Sequence, residues 1–119
     1  MVKVCRSIDK IDDDIESAGQ SFLGFYLGDI IKRFSEFDDR TSKNKIINEY
    51  FKSQNGFYDN HIENTRVRVN AAIRIIKACE VKYALKKIDG FKVDPRAVNK
   101  AKETLRKIIS GELRLPSFQ

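Results

Sequence analysis

The sequence predicts an all-α protein, a single-domain bundle of four to five helices with a long central helix at about residues 64–88. Three observations carry this expectation. Apolar residues recur at intervals of three and four through most of the chain. Only two prolines occur, Pro95 and Pro116, so long stretches hold no helix breaker. The chain has 119 residues, 41% hydrophobic and 34% charged, which suits one core and is too short for two.

The first helix begins near Ser7, a candidate N-cap, and carries Ile8, Ile11, Ile15 and Ala18 at helical spacing. Asp9, Asp12, Asp13 and Asp14 fall in its early turns, where the positive end of the helix dipole favours acids. Gly19 breaks or bends this helix, and Phe22, Phe25, Tyr26, Ile30, Phe34 and Phe37 continue as a second apolar run. Within it Gly24 and Gly28 lie four apart on one face and form a notch that lets another helix approach closely. Asp38-Asp39-Arg40 reads as a turn. Thr41 or Ser42 then caps a third helix bearing Ile46, Ile47, Tyr50 and Phe51, which stops at Asn55-Gly56.

After a loop at 56–64, the long central segment runs to Asp89-Gly90. Val69, Ala72, Ile73, Ile76, Cys79 and Tyr83 make one apolar stripe, and Val67, Ala71, Ile75, Ala78 and Leu85 make another, the pattern of a helix central to a bundle. Thr65 to Val69 alternates like a strand, but the helical pattern continues through it without interruption. The last helix has the clearest start. Asp94 caps it, and Pro95 sits at the first helical position, where a missing N–H costs nothing. Ala97, Val98, Ala101, Leu105, Ile108 and Ile109 form its apolar stripe, Ser110-Gly111 stops it, and 112–119 is an extended tail.

Charge is unevenly distributed. Residues 1–60 hold 9 Lys/Arg against 11 Asp/Glu, a balance of −2, whereas 61–119 hold 14 against 6, a balance of +8. A basic half attracts nucleic acid or an acidic protein surface. The same charges also serve to solvate a face or to pair with Asp12 to Asp14 of the first helix. The acid-rich start and the absence of an apolar run near 20 residues predict a cytoplasmic protein with no membrane span.

Tests for specific chemistries fail on the residues present. Two cysteines, Cys5 and Cys79, and one histidine, His61, assemble neither a disulfide framework nor a Cys/His zinc site. His61-x-Glu63 matches half of the zinc-deaminase motif, and the Pro-Cys-x-x-Cys half is missing. The positions before His61 lack the arginine that helical RNases of the HEPN type place there. Asp59 with Glu80-x-Lys82 fits a loose metal-nuclease pattern that belongs on strands, whereas Glu80 and Lys82 read as mid-helix. No glycine pattern cradles a phosphate, and there is no Gly-x-Ser-x-Gly elbow. His61 reads as a loop residue that bonds to or caps the central helix, and Cys79 as a small buried hydrophobe.

What remains is the basic surface. Arg66, Asn70, Arg74 and Lys77 share a stripe of the central helix within about 80°, and Arg96, Lys100 and Lys107 lie on the outer face of the last. Arg and Asn at one-turn spacing suit phosphates and base edges. The sequence-based expectation is therefore a non-enzymatic helical module, without cofactor or metal, binding nucleic acid or acting as a small subunit of a nucleoprotein assembly. The alternative is an adaptor or inhibitor for an acidic protein surface, and a third reading is an enzyme, a nuclease using the loop around His61. The oligomeric state is left open.

Overall fold

The computed structural model describes residues 8–54, 57–89 and 93–116. They form six α-helices: α1 (Ile8–Ala18), α2 (Gln20–Lys32), α3 (Arg40–Ser53), α4 (Ile62–Lys77), α5 (Val81–Lys87) and α6 (Pro95–Ser110). A short 3-10 turn, Phe34–Asp38, joins α2 to α3, and no strand occurs among the described residues. The alternating stretch Thr65 to Val69 is helical, as its continuation into the following turns requires. Ser7, Asn55-Gly56, Gly90 and the last three residues of the tail lie outside the described residues.

Two helix pairs dominate the packing, α1 on α4 and α2 on α6, with α3 laid against α4 and α5 against α6. The core between them holds Ile11 and Ile15 of α1, Phe22, Leu23, Leu27 and Ile30 of α2, Ile46 and Ile47 of α3, and Val69, Ile75 and Ile76 of α4. No helix among the described residues is long and apolar enough to cross a membrane.

One residue separates α1 from α2. Gly19 takes φ 86°, a region that side chains disfavour, and a Cβ there would lie 2.6 Å from Nη1 of Arg68. The glycine notch of α2 is filled by α6. A Cβ on Gly24 would stand 2.5 Å from the carbonyl oxygen of Ala97, and one on Gly28 3.1 Å from Oγ1 of Thr104. The first contact meets backbone, which cannot turn aside, so Gly24 sets the approach of α2 to α6.

The long central helix is two helices. α4 ends at Lys77, Ala78 follows it, Cys79 adopts φ 60°, and α5 starts at Val81. A straight helix over residues 62–87 would be about 39 Å long, more than the 36 Å of the domain's largest dimension. The break turns Val81, Ala84 and Leu85 into the core beside α6. Cys79, read from sequence as a buried hydrophobe, sits on the outside of this turn and is exposed. Glu80 is not mid-helix but occupies the N-cap position of α5.

The caps follow simple chemistry, with one shift from the sequence reading. Asp39, not Thr41 or Ser42, caps α3, and its carboxylate accepts from the Ser42 N–H at 3.0 Å and the Ser42 hydroxyl at 2.9 Å. These bonds hold the Asp39 carboxyl below the usual range. Asp94 caps α6, accepting from the Arg96 N–H at 2.9 Å, with Pro95 at the first helical position. Within α6, Ala97, Ala101 and Thr104 form the buried line, and Ile109, expected in it, is 67% exposed. After Gly111 the tail buries Leu113.

Gly24→Ala should lower stability by about 1–3 kcal/mol, because α2 and α6 must separate to admit the methyl group. Gly28→Ala, which meets the end of a side chain, should be milder. Urea denaturation of both variants checks the order, and a neutral Gly24→Ala would contradict the close α2–α6 approach.

A candidate anion-binding face between helices α3 and α4

The functional candidates are cations, so the first question is which cations are already engaged. Arg68 is engaged at all three of its guanidinium nitrogens. Its Nε and Nη2 donate to the Asp59 carboxylate at 3.1–3.2 Å, and its Nη1 donates to the carbonyl of Ala18 at 2.8 Å. Asp59 is 6% exposed and also accepts from the Thr65 hydroxyl at 2.8 Å. The loop around His61 is thus built on a satisfied structural carboxylate. His61 occupies the N-cap position of α4, is exposed, and makes no capping bond with its side chain. The expected side-chain cap is absent, and α4 opens instead with the His61 carbonyl accepting from the Asn64 N–H at 3.0 Å.

The stripe Arg66, Asn70, Arg74 and Lys77 is divided by its neighbours, because α4 packs against both α1 and α3. Arg74 turns toward α1, where its Nε donates to Asp14 at 2.9 Å. Asp14 is only 3% exposed, so this pair answers a buried carboxylate. Arg66 turns toward α3. Its Nη1 donates to Oδ1 of Asn44 at 2.6 Å, and its Nε reaches Glu63 of its own helix at 3.1 Å. Lys77 makes no ion pair among the described residues. Asn70 is half-buried on the same stripe.

The structure adds Lys43 of α3, which sequence reasoning passed over. Lys43 is half-buried, and among the described residues no carboxylate pairs with it. Desolvation lowers the affinity of its amine for a proton, and the charges of Arg66 and Lys77 lower it further. The charges of Arg66 and Lys77 on α4 thus both bear on Lys43 of α3, while those two stand about 16 Å apart along their own helix, and Asn44 is bonded to Arg66. Among the described residues the only acid paired with these cations is Glu63, at the Arg66 edge and solvent-exposed. A signal for Lys43 was present in the sequence. It precedes Ile46, Ile47 and Tyr50 by three, four and seven residues, in line with the buried stripe of α3.

The α6 candidates lie elsewhere. Arg96 is bonded to Asp94 at 2.9 Å and rests over the Phe25 ring. Lys100 is exposed, and Lys107 pairs with Glu103 at 3.3 Å. Both lysines border the junction of α2 with α6. No group of three His, Cys, Asp or Glu residues able to hold a metal ion occurs among the described residues. Comparison with known protein families, with characterised proteins and with solved structures finds no significant match to this chain.

Arg74→Ala should destabilise the fold by about 2 kcal/mol, less than the ~3–5 kcal/mol of a fully buried pair because Arg74 keeps contact with solvent. Affinity for any anionic partner should stay unchanged once the protein is folded. Thermal melting and a binding isotherm on the same variant separate these effects, and lost affinity at unchanged melting temperature would count against a structural role for Arg74.

Proposed function

We propose that the chain is a non-enzymatic binding module for nucleic acid, alone or within a nucleoprotein assembly, and that Lys43, Arg66, Asn70 and Lys77 form its contact surface. The observation that carries this reading is Lys43 of α3, a half-buried cation on which the charges of Arg66 and Lys77 of α4 both act and with which no carboxylate pairs among the described residues. Folding has placed a half-buried lysine beside two like charges, which is unfavourable for the isolated domain. Phosphates laid along the face relieve that repulsion and supply the missing counter-charge. Arg66, fixed by Asn44, presents the rest of its guanidinium in a defined orientation, and the two asparagines can donate to and accept from sugar or base edges.

A second reading is favoured by a separate observation. On the outer side of α6, Leu105 and Ile109 form a shallow apolar strip beside Lys102 and Arg106. Such a strip suits the apolar side of an acidic amphipathic helix, the alternative of an acidic protein partner.

A salt titration decides between them. Binding to duplex DNA or RNA should weaken steeply with salt. Lys43→Gln and Lys77→Gln should each reduce the slope of log K against log salt by about 0.9 for duplex DNA and weaken binding evenly across sequences. Slopes unaltered by either change would remove the α3–α4 face from the binding surface. Capture of an acidic helix that depends on Leu105 and Ile109, with no affinity for nucleic acid, would favour the second reading.

A further inference from the structure

A second basic site, on a different helix pair, is independent of the α3–α4 face. A cleft of about 260 Å³ opens between α2 and α6. Lys32 borders it from α2, and Lys100 and Lys107 border it from α6. Lys32 and Lys100 are exposed and form no ion pair among the described residues. Lys107 pairs with Glu103, one turn away on its own helix and half open to solvent, a pairing that a stronger anion displaces readily, and its charge also bears on Glu112. Three lysines from two helices thus border one concavity.

The cleft is more than a positive surface. Asp29 lies within it and shares the Arg33 guanidinium with Glu36 and Glu49. Its Oδ2 accepts from the Tyr50 hydroxyl and from Nη1 of Arg33, whereas no hydrogen bond to Oδ1 occurs among the described residues. A ligand held by the three lysines therefore meets a carboxylate oxygen open to its hydroxyl or amine. Phe25 and Leu113 supply apolar wall. The volume falls below the ~300–1,000 Å³ of typical pockets for drug-sized ligands. It has room for a sugar phosphate and the near edge of a ring, so one nucleotide at a time occupies it.

We propose that the α2–α6 cleft binds a single nucleotide phosphomonoester, with its phosphate on Lys32, Lys100 and Lys107 and a sugar hydroxyl on Oδ1 of Asp29. Two sources present this chemistry, a free mononucleotide and the phosphorylated end of a strand.

The test is calorimetry of the full chain with adenosine monophosphate, adenosine and inorganic phosphate, repeated on a Lys32→Gln/Lys100→Gln double variant. Both positions are exposed, so the variant should melt like the parent, which a thermal scan verifies. The monophosphate should bind at least tenfold more tightly than adenosine or phosphate alone. The double variant should weaken it by roughly tenfold or more, the scale of lost charge-assisted hydrogen bonds. A Lys43→Gln/Lys77→Gln variant should bind it unchanged, so failure of the α3–α4 reading would leave this result intact. In that background, short strands with a 5′-phosphate and with a 5′-hydroxyl separate the sources. Tighter binding of the phosphorylated strand than of the monophosphate assigns the cleft to strand ends, and the reverse order assigns it to free nucleotide. Absence of monophosphate binding at millimolar concentration would overturn the proposal. Equal affinity for adenosine, equal affinity for phosphate, or indifference to the double variant would do the same.

Discussion

Arg68 ties together three parts of the chain that share no continuous element. Its guanidinium closes on Asp59 with two nitrogens and on the Ala18 carbonyl with a third, while its plane rests over the Phe57 ring. The end of α1, the segment before α4 and α4 itself are thereby fixed at one point. The planar fork of five donors makes this possible, and a lysine could not reproduce it. Gly19 belongs to the same arrangement, because the space a Cβ would need is occupied by Arg68. Gln54 steadies the other side by donating its amide to the Asp59 carbonyl at 2.8 Å. Loss of the arginine would leave a buried carboxylate whose one remaining partner among the described residues is the Thr65 hydroxyl, so the turn from α1 into α2 depends on this one side chain.

The same accounting of partners divides the basic residues into two populations. Arg33 is held by Glu49 in a two-pronged contact at 2.8 and 3.2 Å, Arg68 by Asp59, and Arg74 by Asp14. In two of these three the cation comes from the basic half of the chain and the acid from the acidic half. Part of the charge asymmetry in the sequence is therefore complementarity between α4 and the elements that precede it. The arginines take most of the structural pairings, and the lysines Lys43, Lys77, Lys32 and Lys100 are left facing outward or facing one another. Net charge by half-chain thus overstates the surface available to a partner.

Legibility in the sequence followed how local each determinant was. The Asp94-Pro95 start, the Gly24/Gly28 notch and the helical nature of 65–69 are set within a turn or two, and all three appear in the structure. The break at Cys79 depends on the size of the domain. Most of the two apolar stripes of the 64–88 segment is buried, with Val67 and Cys79 exposed, but one helix carrying them would outrun the fold. Ile109 shares the spacing of the α6 stripe and is exposed, because Thr104, opposite Gly28, takes the position facing α2. Of the candidate cations, Arg66 and Lys77 keep a common neighbourhood with α3. Arg74 does not, because the facing direction of a side chain on the shoulder of a helix is decided by which neighbour lies there. Lys43 was missed for the same reason, since its significance arises only when α3 is laid on α4.

The account of the α3–α4 face rests on Lys43 being held as a cation against both desolvation and its two cationic neighbours. Its direct test is the titration of the Lys43 side chain, followed by NMR at the carbon next to the amine, in the free protein and in its complex with duplex nucleic acid. The midpoint should fall below that of an ordinary lysine, move back up in Lys77→Gln, and move up again when the parent protein binds the duplex. An ordinary midpoint in the free protein, unchanged by Lys77→Gln and by nucleic acid, would contradict it.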